Sequence, residues 1–439
     1  MLHIHPKDPL MDEKVYLSIS GLNPTQPVTI SCQLNDEGCF YVSYAHFITS
    51  IDGAVNVSEH GSFGGSYVGV DTMGLFWSMQ SKKGQKIGLI FRPKDVTKPV
   101  IYTLEVYKGH LNEEECPETS TEFNVSKTAK LLFENEFLKY WCGPGVSRHE
   151  VYHKAIRGSI FKPEGPGPFK GVIDIYGSGG GITEGRAALL ASHGFIAFVL
   201  PHHRYQDLPR RMEEVRIEYL TDAIDYFASL QEVKQGIALL GFSLGAWLVL
   251  LLSILNHEVS AVVSIGTPPY MPTGMIKDGK KYPPTEEQIT GEKYQLKFAL
   301  SYPKDKHGGE LMNIYVYDER TEHLTLEIQK SDAKFLIVFG EDDKLMNAVK
   351  TSEQLQKQMQ KHKKENYIQQ LLYPKSGHTI DPPYLPFTPV FYDPHPALKR
   401  ALAMGGEMVE HSAACVHAWE QILKFIRENA GLRYATSKL

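Results

Sequence analysis

The chain has 439 residues, of which 42% are hydrophobic and 22% charged, a composition that excludes disordered, collagen-like and coiled-coil proteins. At ~150 residues per domain, this length predicts two or three domains. The formal net charge of −5 argues against a nucleic-acid partner, since it supplies no overall basic field.

Residues 14 to about 128 follow a strand-like pattern with period two. Val28, Ile30, Cys32 and Leu34 alternate with polar neighbours, and turn residues separate such runs at short intervals. Many short alternating strands without a long amphipathic helix are typical of a β-sandwich. We therefore predict a β-sandwich domain over residues 1–140. The first 13 residues lack an apolar stretch, so we expect no secretory signal.

Beyond Gly143-Pro144-Gly145, apolar segments of strand length alternate with helical segments. Such alternation predicts a parallel sheet with helices on both faces, within a second domain over residues 145–439. The predicted strands are 171–176, 195–200, 236–240, 260–265, 335–339 and 367–373, and the predicted helices are 185–193, 211–230, 246–255, 346–363 and 412–429. The apolar run of ten residues from Ala246 to Leu255 is too short to span a membrane. The polar stretch from Thr267 to about Asp332 is expected to be an insertion near the active-site edge.

The motif Gly241-Phe242-Ser243-Leu244-Gly245 lies between an apolar strand and an apolar helix. This strand–turn–helix context is that of a nucleophile elbow, in which the serine hydroxyl emerges at the sheet edge beside a helix N-terminus. A glycine turn with a serine N-cap is the alternative interpretation of the same residues. We predict that Ser243 is a catalytic nucleophile.

A serine nucleophile needs a histidine base and a carboxylate that orients it, in the chain order serine, acid, histidine. Of the 18 histidines, His378 alone follows both the serine and a late strand. Asp343 is favoured over Asp342 and Glu341 as the acid, because the turn after the strand needs residues before a carboxylate can point back to the imidazole. These predictions place Ser243, Asp343 and His378 at one edge of the sheet.

Other histidines and arginines remain candidates for different roles. His411 and His417 fall in the last predicted helix, where a helix-face role is expected. His202 and His203 follow a strand and are candidates for substrate contact, although adjacent histidines alone are poor evidence for a metal site. Arg204, Arg210 and Arg211 are candidates for binding CoA phosphates, with a solvated helix start as the alternative.

The tetrahedral oxyanion needs backbone N–H donors. Leu244, directly after the nucleophile, supplies one, and the glycine-rich stretch from Asp174 to Gly181 supplies the other through Ser178 or Gly179, which the sequence does not separate. A flexible structural turn is the alternative for this stretch, and it lacks the Gly-Lys-Ser/Thr of a phosphate-binding loop.

Motifs along nearly the whole chain resemble those of the type I acyl-CoA thioesterases, which share their architecture with bile acid-CoA:amino acid N-acyltransferase. The matching segments are 61–66, 73–77, 165–169, 174–181, 205–209, 241–245, 340–343, 377–384, 405–407 and 418–423. Between Thr267 and Asp332 little of the family pattern is present, so acyl chain-length preference is not carried over.

The resemblance implies an α/β protein in which an α/β-hydrolase catalytic domain follows an immunoglobulin-like β-sandwich domain. It also implies Ser243, Asp343 and His378 as the triad, acyl-CoA as the substrate, and no metal or cofactor. The N-acyltransferase branch has cysteine as nucleophile, whereas this chain has serine, as thioesterases do. The alternatives are an acyl-CoA:amino acid N-acyltransferase, another serine hydrolase such as an esterase, a peptidase or a dienelactone hydrolase, and a non-catalytic acyl-CoA carrier.

The last three residues and the cysteines indicate a compartment. Ser437-Lys438-Leu439 is the tripeptide that the peroxisomal import receptor reads when it is C-terminal and exposed. The five cysteines, Cys32, Cys39, Cys116, Cys142 and Cys415, are scattered and odd in number, which predicts free thiols in a reducing compartment. We therefore expect a peroxisomal protein.

Overall fold

The computed structural model describes residues 1–112, 130–270, 274–282, 302–311, 325–393 and 399–432. The chain forms two compact units: Met1–Trp141 together with Pro382–Thr388, and Cys142–Asp381 together with the chain from Pro389 onward. Among the described residues, no disulfide joins Cys32, Cys39, Cys142 or Cys415, and Cys116 lies outside the described residues. In the described part of the chain, no helix has the length and apolar character needed to cross a bilayer.

The described residues of the N-terminal unit form antiparallel strands and one short helix. Its strands are β1 Leu2–His5, β2 Tyr16–Ile19, β3 Pro27–Asp36, β4 Cys39–Ile48, β5 Val55–Asn56, β6 Gln80–Ser81, β7 Val100–Lys108 and β8 Leu131–Lys139, and its helix is α1 Gly74–Trp77. They form a five-stranded sheet in the order β6-β4-β3-β7-β8 and a three-stranded sheet in the order β1-β2-β5. The alternating residues Val28, Ile30, Cys32 and Leu34 are all buried on β3, which follows from the two-residue period of a strand.

The segment Pro382–Thr388 groups with the N-terminal unit although it follows the predicted histidine loop in sequence. Phe387 N–H donates to the carbonyl oxygen of Met79 over 2.9 Å. The ammonium of Lys139 lies 5.6 Å from the ring centroid of Tyr384 and donates to the carbonyl oxygens of Met11 and Glu13. The predicted domains, 1–140 and 145–439, are continuous in sequence. They therefore assign these seven residues to the second domain, whereas the structure groups them with the N-terminal unit.

The second unit contains a mixed sheet of eight strands with helices between them. Its strands are β9 Ser147–His153, β10 Ile156–Lys162, β11 Phe169–Ile175, β12 Ile196–Val199, β13 Val233–Phe242, β14 Val259–Ile265, β15 Met275–Lys277, β16 Lys280–Tyr282, β17 Lys334–Gly340, β18 Ile368–Tyr373, β19 Val390–Asp393 and β20 Arg400–Ala403. The helices are α2 Gly185–Ser192, α3 Ile217–Ala228, α4 Leu244–Leu255, α5 Ala348–Lys361 and α6 Met408–Asn429. The sheet order is β9-β10-β12-β11-β13-β14-β17-β18, while β15–β16 and β19–β20 form separate two-stranded sheets.

The prediction of a parallel sheet is right for six neighbouring strands and wrong at one edge. β10 runs antiparallel to both β9 and β12, whereas β12, β11, β13, β14, β17 and β18 are parallel. Neither β9 nor β10 is among the predicted strands. Most side chains of β9 are exposed, so β9 lacks the apolar run of a buried strand. The helix predicted over 211–230 begins only at Ile217, after a 3₁₀ turn at Met212–Glu214.

The core of this unit surrounds the central strands and helix α4. Residues Leu244 to Ser253 of α4 are all buried, which is typical of a helix that is covered on every side. Near the carboxyl end of β11, the carboxylate of Asp174 pairs with the guanidinium of Arg186 on α2, and both side chains are buried. The expected insertion is only partly described, because residues 271–273, 283–301 and 312–324 lie outside the described residues.

Candidate active site

The carboxyl ends of the parallel strands bring the candidate residues to one edge of the sheet. β13 ends at Phe242, directly before Ser243; β17 ends at Gly340, before the three acidic residues; and β18 ends at Tyr373, five residues before His378. β11 ends at Ile175, before the glycine-rich stretch. Because these four strands run parallel within one sheet, their loops emerge on the same side, where open α/β sheets bind their ligands.

Ser243 occupies a strained turn between β13 and α4. Its φ of 54° and ψ of −120° fall in a region that residues other than glycine rarely adopt. The neighbouring glycines allow the helix to approach: a Cβ on Gly241 would lie 2.3 Å from the Gly245 carbonyl oxygen, and a Cβ on Gly245 would lie 2.1 Å from the Ile175 carbonyl oxygen. The turn therefore has the geometry of a nucleophile elbow, with the hydroxyl presented at the helix N-terminus.

The structure pairs His378 with Asp343. His378 Nδ1 lies 2.6 Å from Asp343 Oδ2, and the two side chains are only 2% and 1% exposed. The other oxygen of this carboxylate accepts the backbone N–H groups of Leu345 and Met346 over 2.8 and 3.2 Å. Since Nδ1 donates to Asp343, Nε2 is the nitrogen left for proton transfer, and no described residue is a hydrogen-bond partner for this buried atom.

The two other acidic candidates have different partners. Asp342 pairs through Oδ1 with the Lys344 ammonium and accepts the Gly406 backbone N–H through Oδ2 over 2.8 Å. Its side chain is 32% exposed, and its backbone N–H donates to the Ser376 carbonyl oxygen over 2.9 Å. Glu341 is exposed. Asp342 thus joins the turn after β17 to the loops that contain Ser376 and Gly406. Its carboxylate binds Lys344 and Gly406 and not the imidazole of His378.

Contacts along β13 and β14 connect Ser243 with His378. The ring of Phe242, next to the serine, lies 5.2 Å from the imidazole centroid of His378. Ser243 N–H donates to the Ile265 carbonyl oxygen over 2.8 Å. The following residue, Gly266, lies against the imidazole, since a Cβ there would be 3.1 Å from His378 Cε1. The nucleophile and base candidates therefore belong to one packed group.

The predicted oxyanion donors flank the same serine. Leu244 is the first residue of α4, and N–H groups in the first turn of a helix have no acceptor within it. Across from it, a Cβ on Gly177 would lie 3.3 Å from Ser243 Cβ, so the start of the glycine-rich loop packs against Ser243. Ser178 is exposed, and Gly179 is half-buried. Gly177 is the loop residue in contact with the serine, which the sequence pattern alone did not single out.

Burial determines the protonation state of two histidines near these loops. Burial lowers the pKa of His202 to about 4, against hydrogen bonds to the backbone of Tyr176 and Gly177. Burial likewise lowers the pKa of His411 to about 4, and its Nδ1 accepts the Gly377 N–H over 3.1 Å. Both are therefore neutral at physiological pH. His411 supports the histidine loop from within α6, so it is more than a helix-face residue.

The remaining candidates have other partners or lie at the surface. His417 Nδ1 is 2.7 Å from the Tyr373 hydroxyl. Arg210 and Arg211 are exposed, and Arg211 lies 3.6 Å from the Glu213 carboxylate. Arg204 is half-buried and donates to the Gly179 carbonyl oxygen over 3.4 Å. Within the described ranges, no group of three or more His, Cys, Asp or Glu side chains is placed to hold a metal ion.

Comparison with known proteins gives matches over almost the full chain. The family model described as "BAAT / Acyl-CoA thioester hydrolase C terminal" matches residues 215–431. The model described as "Acyl-CoA thioester hydrolase/BAAT N-terminal region" matches residues 12–153.

Relatives with both kinds of name match to the same degree. The chain is 32% identical to bile acid-CoA:amino acid N-acyltransferase of Mus musculus, over 97% of this chain and 96% of that one. It is 32% identical to acyl-coenzyme A thioesterase 1 of Rattus norvegicus and 32% identical to peroxisomal succinyl-coenzyme A thioesterase of Mus musculus, in each case over 96% of this chain and 94% of the relative. Among solved structures, a putative dienelactone hydrolase from Klebsiella pneumoniae matches with a TM-score of 0.39 and 13% identity, over 64% of this chain and 98% of that one.

Proposed function

The chain belongs to the BAAT/acyl-CoA thioester hydrolase family, and from this membership we propose that it hydrolyses fatty acyl-CoA to free acid and CoA. The observation that carries the proposal is the buried contact of 2.6 Å between His378 Nδ1 and Asp343 Oδ2, next to a serine in an elbow turn. In this proposal Ser243 is the nucleophile, His378 the base and Asp343 the residue that orients the base.

The first half of the reaction forms an acyl-serine. His378 Nε2 takes the Ser243 hydroxyl proton as Oγ attacks the thioester carbonyl carbon. The Leu244 N–H and a donor from the Ser178–Gly179 segment hold the oxyanion of the tetrahedral intermediate. The C–S bond then breaks and CoA leaves as a thiolate, which needs little acid assistance because a free thiol has a pKa of ~8.5. The imidazolium proton of His378 then passes to this thiolate or to solvent, which returns His378 to its neutral form.

The second half of the reaction transfers the acyl group to water. His378 removes a proton from the water molecule as its oxygen attacks the acyl-serine carbonyl. The same donors hold the second oxyanion, and collapse of this intermediate returns the proton to Ser243 Oγ and releases the fatty acid. The imidazolium formed in each half of the reaction is stabilised by the Asp343 carboxylate.

The nucleophile favours hydrolysis over transfer to an amine. Overall similarity does not decide between these activities, because an N-acyltransferase and thioesterases match at the same 32% identity. An acyl-cysteine would keep the thioester's reactivity toward amines, whereas acyl-Ser243 is an oxyester that an activated water can turn over. We therefore place this chain with the hydrolases of its family.

Product analysis tests this assignment. The protein is incubated with acyl-CoAs of graded chain length, with and without glycine or taurine, and the products are identified by mass spectrometry. The proposal predicts free acid and CoA at the same rate with or without the amine. Formation of N-acyl amino acid as the main product would assign the chain to the transferases, and faster turnover of simple esters or peptides than of any acyl-CoA would assign it to another hydrolase class.

Two finer assignments complete the proposal. We assign the second unit to the α/β-hydrolase fold and the N-terminal unit to the immunoglobulin-like sandwiches, on the basis of the sheet orders described above. We also propose a peroxisomal location, supported by Ser437-Lys438-Leu439 and by a relative named as a peroxisomal thioesterase. The three residues themselves lie outside the described residues.

A further inference from the structure

Two adjacent buried histidines lie behind the glycine-rich loop, and the mechanism above does not use them. His202 and His203 follow β12 at the active-site edge and are each 2% exposed. His202 Nε2 lies 3.2 Å from the Tyr176 carbonyl oxygen, and the two Nδ1 atoms lie 2.8 Å apart. The two imidazoles also stack, with their centroids 4.7 Å apart.

These contacts determine where the protons are. A carbonyl oxygen only accepts, so His202 Nε2 must carry a proton and donate it to Tyr176. Because burial keeps His202 neutral, its Nδ1 has no proton and must accept, so His203 Nδ1 is the donor in the contact between the rings. The result is a directed chain of hydrogen bonds that runs from His203 through His202 to the Tyr176 carbonyl oxygen.

The Tyr176 carbonyl, which accepts the last of these hydrogen bonds, lies at the start of the glycine-rich loop. Tyr176 directly precedes Gly177, where an added Cβ would lie 3.3 Å from Ser243 Cβ. The other side of the same carbonyl faces the elbow, since a Cβ on Gly245 would be 2.5 Å from Tyr176 O. The Tyr176–Gly177 peptide is therefore held between the histidine pair and the first turn of α4.

The loop that carries the histidines is itself fastened to the glycine-rich loop. The Gly181 N–H donates to the His203 carbonyl oxygen over 2.9 Å, and a Cβ on Gly180 would lie 2.7 Å from His203 Cε1. Arg204, next in the chain, has a φ of 59°, a conformation that is held only where the surroundings determine it. In the same loop, the Asp207 carboxylate forms a bidentate ion pair with the guanidinium of the largely buried Arg157.

We propose that His202 and His203 are positioning residues for the reaction, which orient the backbone N–H groups of the oxyanion loop through the Tyr176 carbonyl. This inference rests on the proposed function, since it assumes that Ser243 attacks and that this loop holds the oxyanion. In a planar trans peptide, the C=O and N–H groups point in opposite directions. Fixing the Tyr176 carbonyl therefore fixes the direction of the Gly177 N–H and the course of the chain into Ser178 and Gly179.

The proposal predicts a loss in the transition state and not in substrate binding. Removing one oxyanion donor outright costs about 10²–10³-fold in kcat. A loop that is present but misoriented is expected to cost less, about 10- to 100-fold in kcat with KM changed by less than about threefold. A merely structural role for the pair would lower the apparent kcat only in proportion to the fraction of folded protein, which the melting curve of each variant measures.

The test compares His202→Met with His202→Gln in the full-length protein. Both side chains are unbranched and of similar length, but only glutamine carries an N–H that reaches the position of the imidazole Nε2. His193→Gln is the matched control, because His193 is the C-cap residue that follows α2 and lies outside the loops of the active-site edge. Each variant is assayed with acyl-CoA and, separately, with an alkyl fluorophosphonate, whose phosphorus bonds to Ser243 Oγ as fluoride leaves and whose phosphoryl oxygen occupies the oxyanion site.

The proposal predicts slow phosphonylation and low kcat for His202→Met, recovery to within about fivefold for His202→Gln, and wild-type rates for His193→Gln. Phosphonylation of His202→Met at the wild-type rate would overturn it, as would equal losses in the Met and Gln variants with unchanged melting temperatures. If His202→Met does not fold, His203→Phe takes its place, because it removes the donor to His202 Nδ1 and keeps the ring. Wild-type protein that is not phosphonylated at Ser243 would instead refute the proposed function on which the inference rests.

Discussion

His378 and Asp343 share a hydrogen bond of 2.6 Å in which the carboxylate oxygen Oδ2 faces the imidazole Nδ1, while the adjacent Asp342 pairs with Lys344. The proposed mechanism needs this bond to hold His378 in the tautomer whose Nε2 accepts a proton from Ser243. In Asp343→Asn we expect a fall in kcat of about 10⁴-fold, the loss that the corresponding change causes in a serine protease with a Ser-His-Asp triad. Release of CoA thiol from acyl-CoA measures it.

Asp342→Asn is the matched control for that prediction. The asparagine keeps an oxygen that can accept the Gly406 N–H, which Asp342 Oδ2 accepts over 2.8 Å, and it loses only a half-exposed ion pair, which contributes about 0–1 kcal/mol. We expect its kcat within about threefold of the wild type. Equal losses in the two variants would show that Asp343 does not have the orienting role.

Replacing Ser243 with cysteine tests whether the nucleophile determines that the acyl group is transferred to water and not to an amine. An acyl-cysteine is a thioester and remains reactive toward amines, so Ser243→Cys is expected to release free acid more slowly and to form some N-acylglycine when glycine is added. Mass spectrometry of the products measures the ratio of amide to acid. If serine and cysteine forms give the same ratio, then the nucleophile does not determine the choice between water and amine.

Lys139 gives the N-terminal unit a pH-dependent stability. Burial lowers the pKa of its ammonium to about 7, whereas in the unfolded chain a lysine keeps its proton up to about pH 10.4. Between these values the unfolded state binds more protons than the folded state, so the free energy of unfolding rises with pH. We expect the denaturation midpoint of this unit to increase from pH 7 to pH 10.

Lys139→Met isolates the contribution of this side chain, because methionine has similar length and no charge. The wild type should gain stability relative to the variant as the pH is raised from 7 to 10, and tryptophan fluorescence at several urea concentrations follows the transition. Parallel midpoints for the two proteins across this range would rule out the titration of Lys139.

Removal of Ser437-Lys438-Leu439 tests the proposed location separately from the chemistry. A tripeptide read by an import receptor acts as an address and not as part of the active site. The truncated protein should therefore move from peroxisomes to the cytosol in imaged cells, while the purified protein keeps its turnover of acyl-CoA. Continued import after truncation would contradict the proposed address, and a loss of turnover would mean that these residues serve the fold.

The candidate site was largely predictable, because its signals are local in sequence. Gly241 and Gly245 flank Ser243 after an apolar strand, and this pattern alone requires a tight strand-to-helix turn. The choice between Asp342 and Asp343 depends on backbone conformation after Gly340, since neighbouring residues in a turn point in different directions. The sequence analysis favoured Asp343 on a general argument about turn length, whereas the contact with His378 depends on atomic positions.

The features that sequence analysis missed depend on contacts between distant segments. The segment Pro382–Thr388 joins the N-terminal unit through contacts such as that between Lys139 and Tyr384. Sequence periodicity does not predict a contact between residues so far apart in the chain. β9 has exposed side chains on both of its faces, so it shows no alternation of apolar and polar residues. The sequence analysis treated His202 and His203 as candidates for substrate contact, but the structure buries both rings behind the glycine-rich loop.

The most direct test of the central claim is to trap the acyl-enzyme. The wild-type protein and Ser243→Ala are mixed with an acyl-CoA that the protein turns over, quenched in acid within milliseconds, and digested for mass spectrometry. The account predicts an acyl group on Ser243 in the wild type, none in Ser243→Ala, and a loss of turnover by several orders of magnitude in a variant with unchanged melting temperature. Undiminished CoA release by folded Ser243→Ala, or an acyl group on a different residue of the wild type, would contradict it.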